Sequence, residues 1–129
     1  MKTLEIWHEL LRERDMARLD EVLAENCVFI SPILHTPQEG RELTKMYLTG
    51  AGQVFNDSFT YVKEVVDGSH AVLEFTCDLD GIVVNGVDIL TFDDDGLICE
   101  FKVMLRPLKA VHMMSERMMA MLEQMSATG

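Results

Sequence analysis

The chain has 129 residues, of which 48% are hydrophobic and 26% are charged, so we expect one folded domain over residues 1–129. Its 22 acidic residues outnumber 11 Lys and Arg, and the formal net charge of -11 argues against a nucleic-acid partner, which would need clustered cations. No apolar run approaches the roughly 18 residues of a membrane span, and the amphipathic start "MKTLEIWHELLRERD" is unlike a signal peptide, so we expect no membrane partner and a cytoplasmic location.

The first part of the chain has helical periodicity. Apolar residues spaced three and four apart predict two short helices between residues 3 and 24, with Asp15 as the break between them. "CVFISP" then predicts a short strand limited by Pro32, and "ILHTPQEG" predicts a loop. The spacing of Leu43, Met46 and Tyr47 predicts a third helix from Arg41 to about Ala51, closed by "GAG".

After residue 56 the pattern changes to strands. Four strand-like runs are divided by "DGS", "DG" and "DDDG", which are hairpin turn signals and predict an antiparallel meander. After Pro107, residues from Leu108 to Met125 return to helical spacing. This order predicts an α+β fold with helices laid on one face of a curved, mostly antiparallel sheet.

The predicted strand that holds "GVDILTF" places an acid, Asp88, on the same face as Leu90 and Phe92. A two-residue turn at "DG" sets Leu73 opposite Asp88, because directly opposed residues of a hairpin share a face. A four-residue "DDDG" turn sets Phe101 on the other side of Asp88.

The same register predicts two different faces of the sheet. The apolar face, which we expect the helices to cover, holds Ala71, Leu73, Phe75, Cys77, Leu90, Phe92, Cys99, Phe101, Val103 and Leu105, with Asp88 as its one acid. The opposite face mixes Glu74, Thr76, Asn85, Glu100, Lys102 and Arg106 with Val72, Val87, Ile89 and Met104. That mixture predicts a polar-rimmed homodimer interface on the outer face of the sheet.

A carboxyl group among apolar side chains has two interpretations. Burial raises its pKa towards neutrality, which suits general acid–base catalysis. Alternatively, Asp88 is a structural acid that is hydrogen-bonded to Tyr47, to His35 or to a buried water. The residues alone leave both interpretations open.

Several runs together resemble the SnoaL-like group of the nuclear transport factor 2-like superfamily over nearly the whole chain. They are "FISP", then "EGRE", a meander that ends in "GVDILTFDDDGLICEFKVMLRPL", and a final helix. The resemblance implies a cone-shaped α+β barrel that encloses a pocket, and its members include ketosteroid isomerases and polyketide cyclases as well as binding domains. Catalytic members use acids on the pocket face of the sheet, and Asp88 matches such a position.

The resemblance leads to a candidate site for a small apolar ligand, with Asp88 as the catalytic group. We expect the pocket to be lined by His35, Tyr47, Leu73, Phe75, Leu90 and Phe101. His35 or Tyr47 would supply a hydrogen-bond donor for a carbonyl-containing or polycyclic ligand. Non-catalytic ligand binding and a dimerisation module without a ligand remain alternatives.

Other residues that can carry chemistry have simpler interpretations. Cys27, Cys77 and Cys99 are far apart in apolar runs, which is typical of reduced buried thiols, and we predict no metal and no cofactor. The last helix carries many methionines, and we expect them to pack in the core or in a dimer interface more readily than to form a pocket lid.

Overall fold

A six-stranded sheet forms the centre of the protein in a computed structural model that describes residues 1–128, with side chains described as far as residue 126. The chain runs through α1 (Lys2–Glu13), a 3-10 helix (Met16–Glu21), β1 (Leu23–Ile30), β2 (Gln38–Glu39), α2 (Arg41–Val54), β3 (Thr60–Asp67), β4 (His70–Leu79), β5 (Ile82–Phe92), β6 (Ile98–Arg106) and α3 (Leu108–Thr128).

The strand order across the sheet is β2-β1-β6-β5-β4-β3. Neighbouring strands are antiparallel except for β1 and β6, which run parallel. The last four strands form the predicted meander. The predicted α+β class, with helices on a curved, mostly antiparallel sheet, is therefore confirmed.

The register between β4 and β5 is the predicted one. Leu79 pairs with Ile82 and Leu73 pairs with Asp88. Asp80 and Gly81 both have positive φ, 54° and 86°, as a tight two-residue hairpin turn of the primed type requires. This turn fixes the position of Asp88 relative to its neighbours on β4.

The predicted register between β5 and β6 is wrong by two residues. Asp88 pairs with Val103, and Phe101 pairs with Leu90, because the loop is longer than a four-residue turn and β6 has a bulge at Cys99, between the pairs Phe92–Ile98 and Thr91–Glu100. A shift of two residues keeps every side chain on its face, so Phe101 still points inwards with Asp88. The bulge changes the face near the loop, where Ile98 is buried in place of the half-buried Cys99.

Other elements differ from the prediction at their ends. The second short helix is a 3-10 helix, and β2 was not predicted. The predicted end of α2 at "GAG" is wrong, since the helix continues through Gly50 and Gly52 to Val54. Gly50 is buried against α3, where Met118 and Leu122 leave room for little more than a methyl group. These glycines therefore serve helix packing rather than helix termination.

Two buried clusters lie between the sheet and the helices. One lies under α1 and contains Leu10, Leu73, Leu90 and Phe101 among others. The second lies under α3 and is built from Phe75, Cys77, Leu79, Val84, Ala110 and Met114. A cavity opens between these two clusters, where aromatic rings meet.

Within the described residues, no helix is long and apolar enough to cross a membrane. The same part of the chain has no cluster of three or more His, Cys, Asp or Glu side chains that could hold a metal ion. The cytoplasmic location stays a prediction from the sequence.

Candidate ligand cavity and its buried acid

A cavity of about 670 Å³ lies between the concave face of the sheet and the helices. Its volume is within the range of small-molecule sites. Its walls come from α1, α2, α3, the strands β3 to β6 and the loop after β1, and they are mostly apolar. Aromatic rings supply much of the wall: Trp7, Phe29, Tyr47, Phe55, Phe59, Tyr61, Phe75 and Phe101.

Asp88 is the buried acid of this cavity, and its side chain belongs to a chain of three hydrogen-bonded groups. Asp88 exposes 5% of its surface to solvent. The Tyr61 hydroxyl donates to Asp88 Oδ2 at 2.6 Å. The Trp7 Nε1–H group donates to the Tyr61 oxygen at 3.1 Å. Since Trp7 occupies one acceptor site of that oxygen, the single proton of Tyr61 is directed to Asp88.

A β-bulge turns Tyr61 towards Asp88. Between the β3–β4 turn and Lys63, the two strands pair in one register. If this register continued, Tyr61 would lie opposite Thr76 on the outer face of the sheet. The bulge at Val62 inserts one residue, so Tyr61 pairs with the inward-facing Phe75 and the extra residue, Val62, is exposed. One inserted residue thus gives Asp88 its hydrogen-bond partner.

The surroundings of Asp88 shift its ionisation to neutral pH. Burial raises the pKa of Asp88 from 3.8 to about 7, and the hydrogen bond from Tyr61 opposes this rise because it favours the charged form. Burial, and next the negative charge of Asp88, raise the pKa of Tyr61 well above its usual value, so the phenol keeps its proton. Near pH 7 Asp88 can therefore accept a proton as a carboxylate or donate one as an acid.

Four of the residues proposed from the sequence lie together in this cavity: Tyr47, Phe75, Asp88 and Phe101. The Tyr47 ring stacks on Phe29 with centroids 5.4 Å apart, which presents the tyrosine to the cavity. The rings of Phe101 and Trp7 pack in an edge-to-face arrangement, with their centroids 5.3 Å apart. Phe75, Asp88 and Phe101 therefore lie on the inward face of the sheet, as predicted.

The other three proposed lining residues lie elsewhere. Leu73 and Leu90 flank Asp88 but are fully buried in the core cluster under α1, so neighbouring side chains separate them from the cavity. His35 is exposed on the loop between β1 and β2 and is not part of the cavity wall. The same loop contributes Ser31, Pro32, Ile33 and Leu34 instead.

The hydrogen-bond partner of Asp88 also differs from the sequence proposal. It is Tyr61, rather than Tyr47 or His35. Three methionines of the last helix, Met114, Met118 and Met119, line the cavity, and Met114 also packs in the core cluster under α3. The helix therefore supplies both core packing and cavity wall.

The fold and the cavity define a small α+β protein with a buried acid in a ligand-sized site. The sequence profile of the SnoaL-like domain matches residues 4–101, and the chain belongs to that family. No match was found among curated proteins.

Solved structures extend the comparison over nearly the whole chain. A steroid delta-isomerase from Pseudomonas aeruginosa is 36% identical, with a TM-score of 0.93, over 98% of this chain and 93% of that one. A bacterial protein with a cystatin-like fold from Silicibacter pomeroyi is 31% identical, with a TM-score of 0.85, over 92% of this chain and 83% of that one. A nuclear transport factor 2-like protein from Mesorhizobium loti shares the fold at 20% identity and a TM-score of 0.71, over 82% of this chain and 89% of that one.

Proposed function

We propose that this protein binds a small apolar molecule with a carbonyl group and that Asp88 exchanges a proton with it in an isomerase-type reaction. The observation that carries this proposal is a buried carboxyl group at the wall of an apolar cavity, with a pKa raised to about 7 by burial. A group that is half ionised near working pH is suited to both halves of a proton transfer.

The proposed reaction moves one proton and one double bond. Asp88 as a carboxylate takes a proton from the carbon between the carbonyl and an isolated double bond, and an enolate forms. The protonated Asp88 then returns this proton to the far end of the conjugated system. The double bond ends in conjugation with the carbonyl, and the product is an isomer of the substrate.

Neighbouring groups have separate proposed roles in this reaction. The Tyr61 hydroxyl donates to Asp88 and would stabilise the carboxylate form, while Trp7 positions Tyr61. Tyr47 brings a second phenol to the cavity wall and is our candidate donor for the developing enolate oxygen. The aromatic walls would hold a flat polycyclic molecule.

The similarity to a steroid delta-isomerase at 36% identity supports a polycyclic ketone as the class of substrate. The cavity of about 670 Å³ has the size that such a ligand needs. We therefore choose a β,γ-unsaturated ketosteroid as the first substrate to test.

The test compares wild type with Asp88→Asn, and it follows formation of the conjugated enone by its ultraviolet absorbance. Since asparagine cannot exchange the proton, we expect turnover to fall by roughly 10²–10⁴-fold. Asp94→Asn is the matched control, because Asp94 is exposed at the tip of the β5–β6 hairpin. Turnover by Asp88→Asn at the wild-type rate would exclude Asp88 as the proton carrier.

Ligand binding without chemistry is the second candidate function. It is favoured by one observation, that Tyr61 directs its single proton to Asp88 and so has none for a ligand. Trp7 is the one tryptophan of the chain and lines the cavity, so its fluorescence can report binding directly. Fluorescence quenching by the ketone, without turnover in wild type, would favour this second function.

A further inference from the structure

Two arginines lie at the rim of the cavity, although the chain as a whole carries a net charge of -11. Arg12 is in the last turn of α1, and Arg14 caps the end of that helix in the left-handed conformation, with φ of 54°. Both side chains are exposed and belong to the cavity wall. The buried part of the cavity holds Asp88, so the charged rim lies at the end that reaches solvent.

Arg12 forms no ion pair with any residue that the structure describes. The acidic residues nearest to it along α1 contact a different cation: Glu9 lies 2.7 Å and Glu13 lies 3.7 Å from the guanidinium of Arg18. The positive charge of Arg12 is therefore uncompensated beside an apolar opening. Arg12 also lies near the negative end of the α1 dipole and can stabilise the helix there without any ligand. Binding experiments on Arg12 variants can separate this structural role from a role in ligand binding.

Arg14 has a partner, but the pair is in water. Its guanidinium lies 2.5 Å from Asp57, on the loop between α2 and β3, and the two side chains are 56% and 97% exposed. An exposed ion pair contributes little free energy, so a ligand anion can compete for Arg14 at small cost. Asp57 also lines the cavity, where its own charge would oppose an anion.

We propose that the ligand of this cavity is an apolar organic acid, with an anionic group that reaches the rim and binds Arg12 and Arg14. The inference rests on the proposed function only in taking this cavity as the ligand site. It adds a polar requirement at the open end: a guanidinium pair matches the oxygens of a carboxylate or a similar anion. An apolar molecule without that group would bind more weakly.

A matched pair of fluorescent probes tests this inference. Anilinonaphthalene sulfonate and N-phenylnaphthylamine share one ring system, and only the first carries an anion. Energy transfer from Trp7 reports binding in the cavity, because this tryptophan lines it. We expect wild type to bind the sulfonate more tightly than the neutral amine.

The arginine variants assign this preference to the rim. Arg12→Gln and Arg14→Gln should each weaken binding of the sulfonate by about two- to fivefold and leave the neutral probe unchanged. Asp57→Asn should act in the opposite direction, since it frees Arg14 and removes a negative charge. Arg41→Gln is the control, because Arg41 lies outside this cavity.

The outcomes separate this inference from the proposed function. Equal affinity for the two probes, or a sulfonate preference that neither arginine substitution reduces, overturns the organic-acid inference and leaves the role of Asp88 standing. A preference that both arginine substitutions reduce and that grows in Asp57→Asn supports it, even if Asp88→Asn turns over ketosteroid at the wild-type rate.

Discussion

Asp88 makes the stability of the protein depend on pH. The dependence lies between the pKa that Asp88 has in the unfolded chain and the higher pKa that it has in the folded protein. Below about pH 4 both states hold the proton. From there to about pH 7 the unfolded chain releases it while the folded protein keeps it, so the free energy of unfolding falls as pH rises and then levels off. The shift from 3.8 to about 7 corresponds to on the order of 4 kcal/mol.

Asp88→Asn removes this dependence, so we expect wild type to lose stability relative to the variant between about pH 5 and about pH 8. Urea unfolding at the two pH values measures the difference, with Asp94→Asn as the control. Asp88→Leu leaves the Tyr61 hydroxyl without its acceptor, but it also removes the buried charge, whose cost is larger, so this variant should melt higher than wild type at about pH 8 as well. If both Asp88 variants melt far below wild type there, Asp88 belongs to a satisfied structural network instead.

Tyr61 lowers the pKa of Asp88 relative to burial alone, so its hydroxyl can be tested separately from its ring. In Tyr61→Phe the carboxylate loses a donor, and we expect the pKa of Asp88 to rise above about 7. The carbon chemical shift of the Asp88 carboxyl group, followed by NMR against pH, measures the change. Tyr47→Phe removes a cavity phenol that makes no bond to Asp88, and a similar shift in that control would contradict the assignment.

At the scale of the strands, the sequence could predict the register between β4 and β5, which a tight turn fixes. The "DG" turn has a two-residue geometry that sets Leu73 opposite Asp88, and this pairing is observed. The bulge in β3 could not be predicted, because this strand is exposed along nearly its whole length and has no clear alternation of buried and exposed residues that an inserted residue would shift. The bulge at Val62 is the reason that Tyr61, the residue that bonds Asp88, was missed.

Residues in loops were the second limit of prediction. His35 could be placed near the predicted pocket only by its position after β1, whereas the direction of its side chain depends on loop geometry that periodicity does not encode. Tyr47, on a helix, has a direction set by the helical repeat, and it lines the cavity as expected. The site residues that lie on helices and strands could therefore be predicted from the sequence.

Two glycines in different elements should respond in opposite ways to alanine. At Gly86 on β5 a Cβ atom would collide with the Phe75 ring and lie 2.7 Å from Leu105, so we expect Gly86→Ala to destabilise the fold by about 1–3 kcal/mol. Inside α2, a Cβ atom on Gly50 would lie 3.4 Å from a flexible Met118 methyl group. Gly50→Ala should stabilise by up to about 1 kcal/mol, since glycine is a poor helix former.

Chemical denaturation of the two alanine variants measures both changes. The pair controls for the generic effect of removing a glycine, because each variant adds one methyl group to a buried position. Stabilisation by Gly86→Ala would show that packing there is looser than the structure implies, and destabilisation by Gly50→Ala would show that Met118 cannot move to make room for the methyl group.

At the scale of the whole molecule, the outer face of the sheet is the surface we expect to form a homodimer. It presents a patch of exposed apolar side chains, including Val65, Val72 and Met104 at 52%, 37% and 51% exposure. Charged side chains lie among them, as in Glu74, which pairs with Val87 on β5 and lies 3.9 Å from Lys63 on β3. A surface of mixed apolar and polar groups is typical of a protein interface.

Sedimentation velocity at micromolar concentration tests this expectation, and it should show a dimer. Val72→Glu places a charge in the centre of the patch and should give a monomer, because a buried unpaired charge costs several kcal/mol. Leu43→Glu is the control, since Leu43 is equally exposed on α2, outside the sheet. A monomer for wild type would exclude the dimer.

The parallel pair of β1 and β6 implies an order of assembly. Leu23 meets Ile98 across that pair, whereas the hairpins from β3 to β6 join neighbouring parts of the chain. Loop closure over such a separation is slow, so we expect the meander to form first and to place Asp88 before α1 brings Trp7 to Tyr61. The cavity is therefore complete only when distant parts of the chain have met, and any ligand that fills it selects the fully assembled protein over every partly folded form.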